Sequence, residues 1–289
     1  MIVPEFEYLT PQTLQEACAM LGQHGGTAKV LSGGSDLIVK MKNGLLKPEY
    51  LVSLKNLDDL KGVRYEAGKG VIIGARTVHN EVIADPVLRE KYPSICGAAA
   101  TMAAYQIRNI GTIGGNMVNA VPSADMPPIL IALNAKARIV GQSGERTVLV
   151  DDFFVGPGRT VLAQDEILAE IIIPDQDTTG SNYIKFGLRR AGALAVAGVA
   201  SSVVMAGDVM KDVRIVLGAV AAVPMRAKEA ESVLRGQKVS QELIDKAGKA
   251  AAAESRPIND IRGSAEYRRN LVDVLTRRSM KAAIEKGHV

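Results

Sequence analysis

The sequence predicts an α+β protein in two parts, residues 1–176 and 177–289, and two observations support this. In the first part, short apolar runs and helix-like periods surround two glycine-rich loops. In the second part, three strand-like runs precede three helix-like stretches, an order typical of α+β packing. We expect the first part to divide into a small lobe, 1–57, and a larger lobe, 58–176. With 47% hydrophobic residues, a chain of 289 residues is long enough for two such domains.

The first predicted element is a helix near the N-terminus. Thr10 can cap it, and Pro11 suits the first helical position. Apolar residues at i, i+3, i+4 and i+7 form one face from Leu14 to Leu21, and Gly25-Gly26 then ends the helix. Apolar runs and helical periodicity predict the other elements of this part: strands over 28–31, 50–54, 71–74, 138–140 and 166–173, and helices over 77–84, 93–104 and 123–133.

The second part begins after a polar segment. Pro174 ends the preceding strand, and residues 175–181 are polar and contain a glycine, which favours an interdomain linker. Three apolar runs separated by turns predict a three-stranded antiparallel sheet over 183–188, 198–205 and 213–220. Helical periodicity predicts a helical bundle over 225–234, 241–254 and 265–285.

Composition argues against several classes of protein. Residues 1–12 contain neither a basic nor an apolar segment, so we expect no signal peptide, and no apolar stretch is long enough for a membrane span. Cys18 and Cys96 can supply neither a disulfide framework nor the four ligands of most iron–sulfur clusters. We expect a cytoplasmic protein without a metal site. The histidines show no metal-ligand spacing and are expected to be structural or solvent-facing: His24, His79 and His288.

Positive charge is concentrated towards the C-terminus. The net charge is +4, and residues 226–289 contain 14 Lys and Arg against 9 Asp and Glu. Such a surface can bind nucleic acid, but no aromatic residues accompany it as a platform for bases. We therefore expect a solvated helical surface or a contact with a partner subunit, and no nucleic-acid binding.

Two glycine-rich loops carry the main functional signal: SGGSD at 32–36 and GTIGGN at 111–116. A pyrophosphate favours several converging backbone N–H groups, and Gly-Gly pairs suit it because side chains obstruct that approach. Neither loop has the spacing of an ATP-binding P-loop or of the GxGxxG dinucleotide fingerprint. A single Gly-Gly pair is more often an ordinary tight turn. Two such loops together favour a phosphate-containing ligand that is bound in another way.

The two loops also resemble those of a known family. Residues 30–37, VLSGGSDL, with Met41-Lys42, resemble the first FAD loop of the flavoprotein subunits of the xanthine dehydrogenase and carbon monoxide dehydrogenase family. Residues 107–116, IRNIGTIGGN, resemble the second. Further segments extend the resemblance over nearly the whole chain: 119–125, 183–189, and 260–268 with its RGSAEYR sequence. The resemblance implies a two-lobed PCMH-type FAD-binding domain before the C-terminal sheet and bundle, with FAD in the cleft between them.

The resemblance also implies which residues bind FAD. The loops would wrap the pyrophosphate and the ribityl chain, and Asp125 would accept hydrogen bonds near the cofactor. Leu168 would pack near the flavin or the adenine. Lys185 would reach the isoalloxazine, where a positive charge tunes the flavin, although a surface lysine on a strand is the other interpretation. The implied cofactor-binding residues are Val30, Leu31, Ser32, Gly33, Gly34, Ser35, Asp36, Leu37, Met102, Thr112, Ile113, Gly114, Gly115, Asn116, Asp125, Leu168 and Lys185.

The implied function is that of an FAD-carrying electron-transfer subunit of a molybdenum hydroxylase. A large partner subunit would hold the molybdenum cofactor, and a small one the 2Fe-2S clusters, in a dimer of heterotrimers. An external acceptor, such as NAD⁺, a quinone or dioxygen, would remove the electrons. We expect no acid or base catalyst in this chain. Without a cysteine-rich insert we expect no cluster here, and without His or Cys in either loop we expect no covalent flavin.

Two other functions remain open on the sequence. A free-standing FAD-dependent oxidase with the same cofactor fold would need a substrate pocket with a base over the flavin, and no such base is evident. A non-catalytic basic adaptor would require both glycine-rich loops to be plain turns. A purified adaptor would be colourless, whereas a flavoprotein would be yellow.

Overall fold

The computed structural model describes residues 3–286, so His288 lies outside the described residues. The strands in that range are β1 (Glu7–Leu9), β2 (Ala28–Leu31), β3 (Tyr50–Ser53), β4 (Val63–Glu66), β5 (Gly70–Gly74), β6 (Lys136–Gly141), β7 (Gly144–Leu149), β8 (Phe154–Gly156), β9 (Arg159–Thr160), β10 (Ile167–Ile173), β11 (Gly180–Gly187), β12 (Ala195–Ala206), β13 (Val209–Gly218) and β14 (Met225–Arg226). The helices are α1 (Leu14–His24), α2 (Leu37–Lys42), α3 (His79–Ala84), α4 (Pro86–Lys91), α5 (Pro93–Ala100), α6 (Tyr105–Arg108), α7 (Ile113–Asn119), α8 (Met126–Ala132), α9 (Lys228–Leu234), α10 (Gln241–Glu254) and α11 (Ala265–Lys286). None of these helices is long and apolar enough to cross a membrane.

The strands of the described chain form separate sheets. β1, β3 and β2 form a parallel sheet in that order, within residues 7–53. Residues 63–173 contain an antiparallel sheet in the order β4-β5-β10-β6-β7 and the short pair β8-β9. The C-terminal part contains an antiparallel sheet in the order β11-β12-β13-β14 and then helices α9 to α11. Separate sheets with helices packed around them confirm the α+β prediction.

The first helix begins later than the sequence predicted. Thr13, not Thr10, is its N-cap, because the Thr13 hydroxyl accepts a hydrogen bond from the backbone N–H of Glu16 at 3.1 Å. The Glu16 carboxylate accepts in turn from the backbone N–H of Gln12 at 2.7 Å. These reciprocal bonds satisfy two N–H groups at the helix start, much as a capping box does.

The C-terminal sheet has one strand more than the three predicted. β11, β12 and β13 pair along their lengths, and the two residues of β14 add to the edge of β13. The sequence predicted a helix from residue 225, but the backbone N–H of Ala227 donates to the carbonyl of Ile215 at 2.8 Å. The chain therefore stays paired with the sheet until α9 begins, and the predicted strand count is corrected to four.

The largest apolar core joins the two predicted parts of the chain. Most of its buried residues lie within 71–173, on the five-stranded sheet and the helices around it, and Tyr183 packs there from β11 with residues of β12 and β13. Side chains alternate between the two faces of a strand, so Tyr183 and Lys185 face the first part. Ile184 and Phe186 face the bundle of α9, α10 and α11.

The segment predicted as a linker is short and tied to both neighbours. Residues 174–179 have neither helix nor strand, and β11 begins at Gly180. The Gln176 amide donates to the carbonyl of Leu133 at 2.7 Å, and the Thr179 hydroxyl donates to the carbonyl of Val203 at 3.0 Å. The boundary between residues 176 and 177 stays a prediction.

Candidate functional site

The first glycine-rich loop connects the carboxyl end of β2 to α2. Gly34 has a φ of +73°, a left-handed conformation that favours glycine. Asp36, the residue before α2, is exposed. A turn of this kind can direct consecutive backbone N–H groups towards one anion. The positive φ of Gly34 suits a turn of the predicted kind, and anion binding by this loop stays a prediction.

The second glycine-rich segment starts a helix and is not wholly the loop that the sequence predicted. Thr112 is the N-cap of α7, and its hydroxyl accepts from the N–H of Gly115 at 3.0 Å. The N–H of Gly114 donates to the carbonyl of Ala75 at 2.9 Å, and a Cβ on Gly114 would lie only 2.6 Å from the Ala75 Cβ. Position 114 therefore requires glycine for close packing. At Gly115 a Cβ would meet only the Thr112 hydroxyl, at 2.9 Å.

The structure brings the two glycine-rich segments into direct contact. A Cβ placed on Gly33 would lie 2.8 Å from the carbonyl carbon of Ile110 and would overlap the carbonyl oxygen. The Ser32 and Thr112 hydroxyls are 3.1 Å apart, within hydrogen-bond distance. Segments nearly 80 residues apart in sequence thus form one surface, with backbone against backbone at Gly33.

This surface fits the pyrophosphate and ribityl chain of FAD. Glycine at position 33 keeps a side chain out of the contact between the two segments, and the start of α7 favours an anion. Among the described residues, the buried Oδ1 of Asn116 has no hydrogen-bond partner. Buried acceptors of this kind are usually satisfied, so a ligand hydroxyl that donates to Asn116 would complete the site.

Lys40 makes a contact at this site that the sequence did not predict. Its ammonium donates to the side-chain carbonyl of Asn119 at 2.6 Å, so it joins α2 to the end of α7. Both residues lie beside the quoted loops, but no local pattern pairs a lysine on one helix with an asparagine on another. The contact holds together the helices that follow the two glycine-rich segments.

Asp125 and Lys185, predicted separately, form a buried ion pair between the two parts of the chain. The Lys185 ammonium lies 2.7 Å from Asp125 Oδ2, and the two side chains are 8% and 7% exposed. Lys185 also donates to the carbonyl of Thr101 at 3.1 Å, and the Tyr183 hydroxyl donates to Asp125 Oδ1 at 2.8 Å. Lys185 is therefore buried, and the alternative that it is a lysine on the surface of a strand is wrong. Tyr183 was missed, although it stands two residues before Lys185 on the same strand face.

Burial is the main cause of the pKa shifts of Asp125 and Tyr183. It raises the pKa of the Asp125 carboxyl, and the positive charge of Lys185 partly offsets that rise. Burial also raises the pKa of the Tyr183 hydroxyl well above its usual value, with a smaller contribution from the negative charge of Asp125. At neutral pH the tyrosine is therefore a hydrogen-bond donor to the carboxylate and not a source of protons.

Met102 lies beside this junction, in a turn that the sequence predicted as helix. Helix α5 ends at Ala100, and Ala103 has a φ of +40°. The Met102 side chain packs against the main core, and its carbonyl accepts from Arg108 at 2.7 Å. The helix predicted to extend to residue 104 is corrected, because the chain turns before the short helix α6.

Leu168 is buried, with 3% exposure, in the core on β10. It lies opposite Ile139, next to an irregularity in the pairing of β10 with β6. Contact with a flavin or adenine stays a prediction for this residue.

His79 is buried against the second glycine-rich segment. Its backbone N–H donates to the carbonyl of Gly111 at 3.1 Å, and among residues 3–286 its Nδ1 has no hydrogen-bond partner. Burial, and secondarily the positive charge of Arg108, lower the pKa of the imidazole from 6.5 to about 4. The ring is therefore neutral at pH 7, as a structural histidine would be.

We expect acidification from about pH 7.5 to about pH 5 to cost about 2 kcal/mol of stability through His79 alone. The unfolded chain takes up this proton near pH 6.5 and the folded chain only near 4. The unfolded state thus binds more protons in that window, and stability is lost as pH falls. Urea unfolding at both pH values measures the loss, and a His79→Gln variant should lose about 2 kcal/mol less than the wild type. Equal losses in both proteins would contradict the assignment.

Comparison with known families and proteins agrees with the resemblance seen in the two loops. Residues 4–176 match the family described as the FAD binding domain in molybdopterin dehydrogenase. Residues 182–283 match the CO dehydrogenase flavoprotein C-terminal domain. The chain is 37% identical to the carbon monoxide dehydrogenase medium chain of Hydrogenophaga pseudoflava, covering 98% of each chain. It is 36% identical to the glyceraldehyde dehydrogenase medium chain of Sulfolobus acidocaldarius, covering 97% of this chain and 99% of that one.

The fold also matches that of a solved relative. A solved structure of carbon monoxide dehydrogenase from Hydrogenophaga pseudoflava matches with a TM-score of 0.95, at 37% identity and over 99% of each chain. Both parts of the chain and their relative placement are covered by this match. The resemblance stated from the motifs is therefore confirmed. The chain belongs to the oxidoreductase family of FAD-binding flavoprotein subunits of the molybdopterin dehydrogenases, which includes the carbon monoxide dehydrogenase medium chains.

Proposed function

We propose that this chain carries FAD as the electron-transfer subunit of a multi-subunit molybdenum hydroxylase. FAD, when bound, supplies a carrier that accepts electrons from iron–sulfur clusters of a partner subunit and releases them to an external acceptor. The observation that carries the proposal is the contact between Gly33 and Ile110, which makes one surface from two distant glycine-rich segments.

The residues of the chain bind and orient the cofactor. The loops at 30–37 and 112–116 would hold the pyrophosphate and the ribityl chain, and Asn116 Oδ1 would accept a hydrogen bond from the ligand. Lys185 and Asp125, held by Tyr183, would place a fixed and partly neutralised positive charge near the isoalloxazine. Met102 and Leu168 would supply apolar contacts.

The names of the relatives support partner subunits for this chain. The relatives described above are named as medium chains, which supports a complex with a large molybdenum-cofactor subunit and a small 2Fe-2S subunit. We propose a dimer of heterotrimers in the cytoplasm, with NAD⁺, a quinone or dioxygen as the acceptor.

The proposed domain boundary lies between residues 176 and 177. The two family matches, over 4–176 and 182–283, support it. The N-terminal domain, with lobes 1–57 and 58–176, would hold the dinucleotide, and the C-terminal domain would close over the flavin through Lys185.

An absorption spectrum of the purified chain, after incubation with FAD and desalting, tests the proposal. We expect flavin bands that correspond to about one FAD per chain, since both loops are in place without a partner. If the chain alone loses FAD, the test is repeated on the chain co-expressed with the large and small subunits. Absence of flavin in both preparations would contradict the proposed function.

A further inference from the structure

The turn between α5 and α6, residues 101–104, lies at the junction of the two parts of the chain. Each of its four backbone carbonyls accepts a hydrogen bond. The Lys185 ammonium of the C-terminal part donates to the carbonyl of Thr101 at 3.1 Å. The backbone N–H of Gly192, also in the C-terminal part, donates to the carbonyl of Ala103 at 3.1 Å. The C-terminal part therefore holds this turn from one side.

Arg108 on α6 holds the same turn from the first part of the chain. Its Nη1 donates to the carbonyl of Met102 at 2.7 Å, and its backbone N–H donates to the carbonyl of Ala104 at 3.0 Å. Its Nε donates to Oδ1 of Asn80 at 3.2 Å. A guanidinium group presents five donors in a rigid plane, so one arginine can bind acceptors on two different segments at once.

Asn80 ties Arg108 and its helix to the core of the first part. Besides accepting from Arg108, its side-chain amide donates to the carbonyl of Tyr105 at 3.2 Å and to Oδ1 of Asn109 at 2.6 Å. Asn80 is the second residue of α3, and Val82 of the same helix is buried in the largest core. Arg108 is therefore itself held at a fixed place relative to the turn.

The turn needs this support because its backbone is strained at Ala103, whose φ is +40°. A residue with a Cβ in the left-handed region costs about 1–3 kcal/mol and persists only where surrounding contacts hold it. The rotation at Ala103 is set by the two peptide groups that flank it. Arg108 holds the first of these groups through the Met102 carbonyl, and Gly192 holds the second. Loss of the Arg108 side chain would let the turn relax.

The position of the turn also sets the orientation of the Lys185 ammonium. A lysine ammonium has three hydrogen-bond donors. Within residues 3–286, Lys185 donates to Asp125 Oδ2 at 2.7 Å and to the carbonyl of Thr101 at 3.1 Å. Because the ammonium is tetrahedral, two fixed donors determine the direction of the third, which is left for a ligand. A shift of the Thr101 carbonyl would therefore redirect that donor.

We propose that Arg108 is a positioning residue for the flavin: through the turn at 101–104 it orients the Lys185 ammonium and so raises the reduction potential of bound FAD. The inference rests on the proposed function and adds to it a residue that acts through the turn. Uptake of two electrons and one proton leaves the flavin ring with a negative charge, and a positive charge held near the ring stabilises that anionic form.

The test replaces Arg108 and a matched control arginine in the full FAD-loaded chain. Arg108→Met removes the side-chain donors to Met102 and Asn80. Arg89→Met is the control, because Arg89 Nε makes the same kind of bond to the carbonyl of Ile83, at 2.8 Å, and none to the turn. Titration with FAD gives the dissociation constant, and redox titration with an indicator dye gives the midpoint potential of the bound flavin.

We expect Arg108→Met to bind oxidised FAD about 10-fold more weakly, and reduced FAD about 100-fold more weakly, than the wild type. The additional tenfold loss for the reduced form makes the midpoint potential about 30 mV more negative. Arg89→Met should change neither value. Asn80→Ala alters no charge and should shift the potential in the same direction by a smaller amount, because it loosens Arg108 and leaves its field in place.

Hydrogen exchange of the FAD-free chain tests the same contact without the cofactor. The N–H of Gly192 donates to the carbonyl of Ala103, so its exchange rate reports whether the turn keeps its position. We expect faster exchange at Gly192 in Arg108→Met than in the wild type and in Arg89→Met. Equal exchange in the three proteins would overturn the proposal.

The outcomes separate this inference from the proposed function. A wild-type midpoint potential in Arg108→Met would overturn the inference. An unchanged potential in Asn80→Ala would also overturn it, since Arg108 would then act only through its charge; this variant decides the matter if Arg108→Met fails to fold. Failure of the wild-type chain to hold FAD would instead contradict the proposed function, and exchange at Gly192 would still show whether Arg108 holds the turn.

Discussion

Replacing Gly33 by alanine is expected to abolish FAD retention and to lower the free energy of unfolding by about 1–3 kcal/mol. The new Cβ would lie 2.8 Å from the carbonyl carbon of Ile110 and closer still to its oxygen. Because the obstacle is backbone, no side-chain rotation can relieve the overlap, and the two glycine-rich segments must move apart. The flavin content after desalting and the urea midpoint measure the two effects.

Two alanine substitutions serve as matched controls for Gly33→Ala. A Cβ on Gly97 meets nothing within 4 Å, so Gly97→Ala in α5 should keep FAD and gain about 0.5–1 kcal/mol of stability from helix propensity. Gly115→Ala should be milder than Gly33→Ala, since its Cβ meets only the Thr112 hydroxyl. FAD retention by Gly33→Ala at the wild-type level would show that the contact of the two segments is not needed for binding.

Replacing Lys185 by methionine is expected to destabilise the FAD-free protein by about 3–5 kcal/mol. The substitution leaves the Asp125 carboxylate buried without its cation, and a buried unpaired charge is strongly unfavourable. Burial already raises the pKa of the Asp125 carboxyl, and removal of Lys185 should raise it further. Urea unfolding without FAD isolates this effect from any role of Lys185 in binding the cofactor.

A double-mutant cycle with Asp125→Asn separates the ion pair from other effects. Lys185→Met with Asp125→Asn should be less destabilised than the sum of the single variants, because the double variant leaves no unpaired charge. Strict additivity of the two losses would show that the side chains do not stabilise each other. Tyr183→Phe removes only one hydrogen bond to Asp125 and should cost about 1–3 kcal/mol, a smaller loss.

The candidate site could be predicted from sequence only in pieces. The loops at 32–36 and 111–116 stand out because two Gly-Gly pairs, each flanked by small polar residues, occur in the first part of the chain. That Gly33 touches Ile110, or that Lys185 meets Asp125, could not be predicted from local pattern. Such contacts join residues that are far apart in the sequence. Apolar periodicity predicts local elements, and it does not predict which distant residues meet.

The sequence by itself determined the α+β class, the C-terminal helices and the buried strands, since these depend on local apolar periodicity and on glycine. Only the tertiary structure revealed β4 and β7, the edge strands of the five-stranded sheet. None of their side chains is buried, so neither strand has the apolar run that marks a buried strand in the sequence. The tertiary structure also decided that Gly111 to Asn116 starts a helix, because packing against Ala75 fixes Gly114 there. Packing and backbone pairing between distant segments settle these features, and neither is encoded within a short window of sequence.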